Sequence, residues 1–365
     1  MEYVNLGDVA TYINGYAFKP EQRGKKGLPI IRIQDLNGNS HDLGFFDGEY
    51  PKQVEINAGD ILISWSGSLG VYKWNKGKAL LNQHIFKVLF NKIKIDKEYF
   101  CYAVKNSLSV MSQQTHGATM KHITKKDFDK VLIPYPSLNT QRKIAQKLNI
   151  VTELIVFYET ELSLMEQLIK ARFVEMFGDP IINPYGFPVK KIDEVAVLNK
   201  GITYSPDDIS KEGIIVLRSG NIKGNAFDLE DIVRISKKIS NDKLVNENDI
   251  LMCNRNGSVN LVGKVAKIPK LEEKMTFGTF MTIVRSEIFE YLFVFFQMNA
   301  FREQIKFQTA VAINQISLPL LASVKVPIPT NELIKEFADF VKQVDKSRFD
   351  IKKSITEIER EVVYD

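Results

Sequence analysis

Leu6-Gly7-Asp8-Val9-Ala10, with Asn14-Gly15 close behind, comes back in the same chain as Ile192-Asp193-Glu194-Val195-Ala196 with Lys200-Gly201, 186 positions later. The same offset carries Ile30-Ile31-Arg32 onto Val216-Leu217-Arg218. Further along, Asp60-Ile61-Leu62 answers to Asp249-Ile250-Leu251 at an offset of 189. Ile123-Thr124 with Val131-Leu132-Ile133-Pro134-Tyr135-Pro136 answers to Ile316-Ser317 with Val324-Lys325-Val326-Pro327-Ile328-Pro329 at 193. A period of about half the chain is far longer than the roughly 20 to 50 residues of a solenoid repeat. It describes one domain written twice, and so an activity performed twice.

Each half opens with short β-branched runs separated by Gly, Asn and Asp, the pattern of strands and turns. These runs are 28–33, 60–64 and 85–90 in the first half, and 214–217, 250–252 and 280–285 in the second. A helical stretch follows, 98–111 and 287–304, then a polar loop and a short strand ending Pro-x-Pro. The prolines end that strand because they cannot donate to a ladder.

After it, Ile144, Leu148, Val151, Ile155, Tyr158, Leu162, Met165 and Ile169 step alternately by four and three. That is the a/d seam of a coiled coil over about four heptads. The second half answers with Ile334, Phe337, Val341, Val344, Arg348, Ile351, Ile355, Ile358 and Val362. Neither seam can be left in water. Because a whole domain separates them in the chain, the expected arrangement is antiparallel pairing of the two helices, with an internal pseudo-twofold. The alternative is that each helix packs on its own domain. Asn139-Thr140-Gln141 and Thr330-Asn331-Glu332 are the expected N-terminal caps, and Phe177-Gly178-Asp179-Pro180 the expected end of the first helix. The fold class is therefore α+β: similar globular domains at 1–139 and 179–329, and helical spacers at 140–178 and 330–365.

The 365 residues, 44% hydrophobic and 25% charged, suit a soluble protein with two or three domains. Net charge is +5, and its distribution says more: 18 basic and 13 acidic residues in 1–139, 19 and 17 in 178–329, but 5 and 5 in 141–177 and 7 and 9 in 330–365. The globular parts carry the basic surplus, which suits a polyanion as well as an ordinary solvated surface. No apolar run approaches the roughly 18 residues of a membrane span, and the N-terminus lacks the basic head and apolar core of a signal peptide. A cytoplasmic protein is expected. Cys101 and Cys253, in different halves, are expected to be free core thiols.

The order of these phrases resembles a known family. Leu6-Gly7-Asp8-Val9-Ala10, Pro29-Ile30-Ile31-Arg32-Ile33, Gly59-Asp60-Ile61-Leu62-Ile63-Ser64, Ile133-Pro134-Tyr135-Pro136 and Gln141-Arg142-Lys143-Ile144-Ala145 resemble the specificity subunit of type I restriction-modification systems. Lys170-Ala171-Arg172-Phe173-Val174-Glu175-Met176-Phe177-Gly178-Asp179-Pro180 resembles that family's central region. The second helix departs from the pattern, beginning Asn331-Glu332-Leu333-Ile334 rather than Thr-Gln-Arg. The resemblance implies two target-recognition domains, each reading half of a split site in double-stranded DNA. It implies helices that hold the two at a fixed separation while docking two methyltransferase subunits. Those partners would methylate adenine using S-adenosylmethionine, with no cofactor in this chain, and a restriction and translocase subunit can join them.

The strings nearest to catalytic motifs fall short of them. Asn183-Pro184-Tyr185 lacks the second proline of the loop that holds a flipped adenine, and reads as a turn. Gly257-Ser258-Val259-Asn260-Leu261-Val262-Gly263-Lys264 has five residues between its glycines and Val265 where Ser or Thr should bind magnesium, so it reads as a hairpin. His41, His84, His116 and His122 all fall in the first half without metal-ligand spacing, so no metal is expected. The chain is expected not to be an enzyme. A self-contained DNA-modifying enzyme and a coiled-coil interaction protein with two binding heads are the alternatives.

Reading DNA needs polar side chains for base edges, basic ones for phosphates, and glycines for close approach. In the first half Ser64, Ser66 and Ser68 form one candidate loop, and Gln113, Gln114, Thr115, His116, Thr119 and Lys121 another. In the second half the candidates are Asn254, Arg255, Asn256 and Ser258, then Lys306, Gln308, Thr309, Asn314 and Gln315. Arg32 and Arg218, matched across the repeat and expected within strands, suit a structural ion pair at least as well as a base contact.

Overall fold

The structure, a computed structural model, describes residues 2–39, 42–114, 124–309 and 315–364. The chain divides into two compact units, Met1–Val156 and Phe157–Val363. The first opens with β1 (Tyr3–Asn5), α1 (Leu6–Val9) and β2 (Thr11–Asn14). There follow β3 (Leu28–Ile31), α2 (Ile33–Leu36), β4 (Phe45–Phe46), β5 (Glu55–Ile56), β6 (Ile61–Ser64), β7 (Gly70–Lys73), β8 (Ala79–Leu81) and β9 (Ile85–Leu89). Helices α3 (Lys97–Gln114) and α4 (Lys125–Asp129), strand β10 (Leu132–Pro134) and the first half of α5 (Leu138–Phe177) complete it.

The strands make two four-stranded sheets, β2-β9-β6-β7 and β4-β3-β8-β5, with β3 and β8 parallel. Burial explains why Ile61-Leu62-Ile63-Ser64 is apolar without alternation. Ile61 and Ile63 pack in the cluster that holds Phe100, Val104 and Phe128, while Leu62 packs with Ile31, Ile56 and Trp74 on the opposite face. A strand covered on both faces reads as a continuous apolar run, and each such side chain contributes about 1.5–3 kcal/mol by its burial.

The second unit repeats the plan after the second half of α5. Its strands are β11 (Val189–Lys191), β12 (Val197–Lys200), β13 (Ile209–Ser210), β14 (Ile214–Leu217), β15 (Ile222–Lys223), β16 (Ala226–Phe227), β17 (Val233–Ile235), β18 (Ile250–Cys253), β19 (Val265–Lys267), β20 (Met275–Phe277) and β21 (Met281–Arg285). Then come α6 (Phe289–Phe295), α7 (Asn299–Thr309), α8 (Leu318–Ser323), β22 (Lys325–Pro327) and α9 (Asn331–Tyr364). Sheet β12-β21-β18-β19 matches β2-β9-β6-β7, and β17-β14-β20 matches β4-β3-β8, again with one parallel pair, β14 with β20; the fourth strand changes edge, β13 beside β17 where the first unit has β5 beside β8.

The repeated phrases hold equivalent places. Leu6 N donates to Val131 O at 2.9 Å and Ile192 N to Val324 O at 3.0 Å. The first strand of each half pairs with its Pro-x-Pro strand, β1 with β10 and β11 with β22, which closes each domain on itself. The Tyr99 hydroxyl donates to Pro134 O at 2.8 Å and that of Tyr291 to Pro327 O at 2.6 Å. Gly15 and Gly201 share one reason: a Cβ at either would lie 2.0 Å from a carbonyl oxygen, of Asn82 or of Gly278. Asp60 and Asp249 each accept from the backbone N–H three residues earlier, at 2.8 Å, and pair with a basic residue of the adjacent strand, Lys87 or Arg285.

Several expected boundaries move. Arg32 and Arg218 are not within strands but just past them. Each has its N–H taken by a side chain three residues on, Asp35 or Asn221, at 2.8 Å, which turns the chain out of the ladder. Both form ion pairs, Arg32 with Asp35 at 3.0 Å and Arg218 with Asp231 at 2.8 Å. The stretch 287–304 is two helices, α6 and α7, and α5 starts earlier than expected because Ser137, not Asn139, caps it by accepting from Thr140 N at 3.3 Å. Thr330 caps α9, accepting from Leu333 N at 3.5 Å.

Within the second unit, α5 and α9 run antiparallel. Arg172 pairs with Glu336 at 2.8 Å and Glu166 with Arg348 at 2.9 Å, so numbers fall along one helix as they rise along the other. Seam residues Ile169, Ile334, Phe337, Val341 and Val344 are buried. The helices also pack on the domain, so both arrangements open to the sequence hold at once. Phe173 and Phe177 lie 4.9 and 5.0 Å from the Tyr291 ring and 5.6 and 5.3 Å from that of Phe337. In the first unit, α5 begins on the globular domain, where Gln141 accepts from Asp96 N at 2.9 Å and Asn149 from the Tyr102 hydroxyl at 2.7 Å.

Candidate nucleic-acid interface

The register of the central sheets aligns the two halves residue by residue at one end. Ser64 pairs with Ile85 and Cys253 with Met281. One step outward, Trp65 therefore corresponds to Asn254 and His84 to Phe280. The backbone agrees: Trp65 N donates to His84 O at 3.2 Å, and Asn254 N to Phe280 O at 2.8 Å. The side chains at these matched tips differ.

In the first unit the indole N–H of Trp65 donates to Asn14 Oδ1 at 3.1 Å. Its ring stacks on Phe86 at 5.6 Å and meets His84 edge-on at 4.8 Å. His84 is held at φ +69, in the left-handed region that a non-glycine residue rarely enters. Of the three serines expected here, Ser64 and Ser66 are buried, and the Ser64 hydroxyl donates to Ser68 O. Only Ser68 is exposed, because β6 continues its inward burial to the end of the strand.

In the second unit Asn254 also turns inward, its side-chain amide donating to the Thr282 hydroxyl, while its backbone carbonyl accepts from Ile316 N at 2.8 Å. Arg255 is exposed and bridges in antiparallel fashion to Gln315, also exposed. Its guanidinium lies 5.1 Å above the ring of Phe280, itself 54% exposed. The Asn256 amide donates to the Ser219 hydroxyl at 3.2 Å, and its carbonyl accepts from Ser258 N at 3.0 Å, leaving Ser258 on the surface.

The other expected loops divide. Gln113 and Gln114 are the last residues of α3, and Lys306, Gln308 and Thr309 lie in the last turns of α7, so all five belong to helices rather than loops. Glutamine and lysine are good helix formers, and the helical pattern runs on through them. Thr115, His116, Thr119, Lys121 and Asn314 lie outside the described residues, as do His41 and His122. Sequence reading missed Phe280, Trp65 and His84. The signal for Phe280 was one of register, since the run 280–285 begins as a strand one residue later, at Met281.

The arginines of the second domain separate structural from available charge. Arg218, Arg234 and Arg285 pair with Asp231, Glu273 and Asp249, and Arg302 donates to Val262 O at 2.6 Å. Among the described residues Arg255 alone of these five side chains has neither a carboxylate nor a carbonyl acceptor. The two strings weighed for other chemistry take other structures. Both oxygen and nitrogen of the Asn183 amide are used on the backbone of Phe187, at 3.0 and 2.9 Å. The segment 257–264 joins antiparallel β18 and β19 through a single 3-10 turn, where a phosphate loop would lead into an α-helix. Burial pushes the Cys101 thiol up to about 12 and raises that of Cys253, so neither is a thiolate near neutral pH. Among the described residues no three His, Cys, Asp or Glu side chains gather to hold a metal, and no helix is long and apolar enough to cross a membrane.

Comparison with known proteins points one way. Residues 1–166 and 184–360 each match the family model described as the type I restriction modification DNA specificity domain. The chain is 24% identical to the Type I restriction enzyme EcoBI specificity subunit of Escherichia coli, over 94% of this chain and 78% of that one. It is 22% identical to the MjaVIII specificity subunit of Methanocaldococcus jannaschii, over 94% and 86%. In fold it is similar to the S subunit of the type I restriction-modification system from M. genitalium, with a TM-score of 0.52 at 16% identity, covering 98% of this chain and 92% of that one.

Proposed function

Since the chain belongs to the type I restriction-modification family of DNA specificity subunits, we propose that its two halves read two parts of one split target in double-stranded DNA. The first half reads through the tip around Trp65 and His84, and the second through the tip around Arg255 and Phe280. One observation carries this reading: the family match occurs twice, each time on a domain closed by its own end strands, and the matched tips share a strand register and one backbone hydrogen bond while exchanging side chains.

In this reading the chain contributes recognition and no chemistry. Two modification subunits, each holding S-adenosylmethionine, methylate adenine beside one half-site each, and a translocating nuclease subunit can join them. The helices serve as spacer and dock. Ile150, Leu154, Phe157, Leu164 and Leu168 of α5 are exposed and follow heptad-like steps, the kind of apolar stripe a partner helix covers. The assembly works in the cytoplasm.

Exchange of residues 190–325 for the corresponding domain of a relative tests the proposal. The methylated sites of the complex, read by sequencing, should change in one half and keep the other. A change in both halves together, or in neither, would refute it.

A further inference from the structure

On the reading that the second half contacts DNA, we infer that Phe280 is a positioning residue, which holds the Arg255 guanidinium as a flat, preset reader of guanine. The observations are geometric. Phe280 sits at the end of a tight turn, where Met281 N donates to Gly278 O at 2.9 Å. Its carbonyl accepts from both Asn254 N at 2.8 Å and Arg255 N at 3.3 Å, so the two residues are clamped backbone to backbone. Asn254 is pinned in turn by Thr282 and Ile316, which fixes the start of the Arg255 side chain.

The ring completes the arrangement. An exposed phenylalanine in a turn gains little from water, but its face attracts a cation, and the Arg255 guanidinium carbon lies over it, 5.1 Å from the ring centroid, a contact made without using an N–H group as a hydrogen-bond donor. A planar fork with free N–H groups is the chemistry that matches guanine O6 and N7. Arg255 is suited to this because no described carboxylate or carbonyl competes for it, whereas the other four arginines of the domain are taken. The equivalent position in the first half carries His84 against Trp65, with no arginine, so the two heads present different chemistry at the same place in the ladder. Recognition by Arg255 therefore depends on an aromatic face beneath it, not on apolar bulk.

The test uses the full chain assembled with the modification subunits of its own system, and the readout is base preference across a randomised target library. Arg255→Ala should relax one guanine position of one half-site, by roughly 5- to 150-fold. Phe280→Ala should relax the same position by about 2- to 5-fold, the range of an exposed cation–aromatic contact. Phe280→Tyr and Phe280→Trp should keep the preference, while Phe280→Leu should not. Adding Phe280→Ala to Arg255→Ala should change nothing further. Thermal melting of each variant checks that the domain is folded. A uniform loss across all sequences on Phe280→Ala, rescue by leucine, or a full effect in the Arg255→Ala background would overturn the inference. If exchange of residues 190–325 moves a half-site while these substitutions do not, this inference alone fails. If neither does, the recognition reading fails with it.

Discussion

Replacing Phe173 with alanine should loosen the second unit and leave the first intact. Phe173 is fully buried, with its ring 4.9 Å from Tyr291 and 5.0 Å from Phe177, and edge-on to Phe337 at 5.6 Å. These four rings come from α5, α6 and α9, so one side chain joins both helices to the domain they pack on. A buried Phe→Ala change costs about 3–5 kcal/mol through lost transfer energy and the cavity left behind. The upper part of that range is expected, because aromatic pairs add about 0.5–1.5 kcal/mol beyond area burial. Phe173→Leu keeps most of the apolar volume and should cost about 1–2 kcal/mol. Hydrogen exchange read by peptide is the assay: residues 165–177, 289–296 and 331–345 should lose protection, while β6, β9 and α3 keep theirs. A cost under about 1 kcal/mol, or equal loss of protection across both units, would show that the aromatic cluster does not join the helices to the domain.

Two further predictions rest on charge. Glu166→Arg and Arg348→Glu should each destabilise the second unit by about 1 kcal/mol, and the double exchange should recover about half, since a glutamate at 348 would face Asp345 where Arg348 now pairs at 3.3 Å; absence of any recovery in a double-mutant cycle would argue against the antiparallel register. Burial raises the Glu290 carboxyl above its usual range, with Lys267 and Lys342 drawing it down and Asp345 adding to the rise. A carboxyl raised in the folded state loses stability as pH climbs through its own titration, so Glu290→Gln should melt higher than the parent at neutral pH, and the gain should vanish below about pH 4; a gain independent of pH would mean the carboxyl is not the cause.

The duplication, the strands and the seam were legible because each is a matter of period, and burial enforces period. Ile61-Leu62-Ile63 and Ile250-Leu251-Met252 could be read as central strands since both faces of each are covered. The candidate interface was legible only in outline, because composition does not say which way a polar side chain turns. Ser64, Ser66 and Asn254 have the chemistry of readers but are buried. Phe280 has the chemistry of a core residue but stands 54% exposed. Phe280 falls outside the strand because β21 begins one residue later, and that register is decided by pairing with β18, a residue set nearly thirty positions away.

The same register explains how one fold can serve two different heads. The constraints that the repeat preserves are internal to the domain: backbone contact at Gly15 and Gly201, a capped turn at Asp60 and Asp249, and a hydroxyl on the closing strand from Tyr99 and Tyr291. At the tips the bonds common to both halves are made by backbone atoms, Trp65 N to His84 O and Asn254 N to Phe280 O, while the side-chain bonds differ, Trp65 to Asn14 and Asn254 to Thr282. A backbone bond does not specify the side chain that carries it. The matched positions therefore carry an indole and an imidazole in one half and an asparagine amide and a phenyl ring in the other, with the ladder beneath unchanged. If these tips are the readers, as proposed, a change of target in one half should leave the fold and the other half as they were.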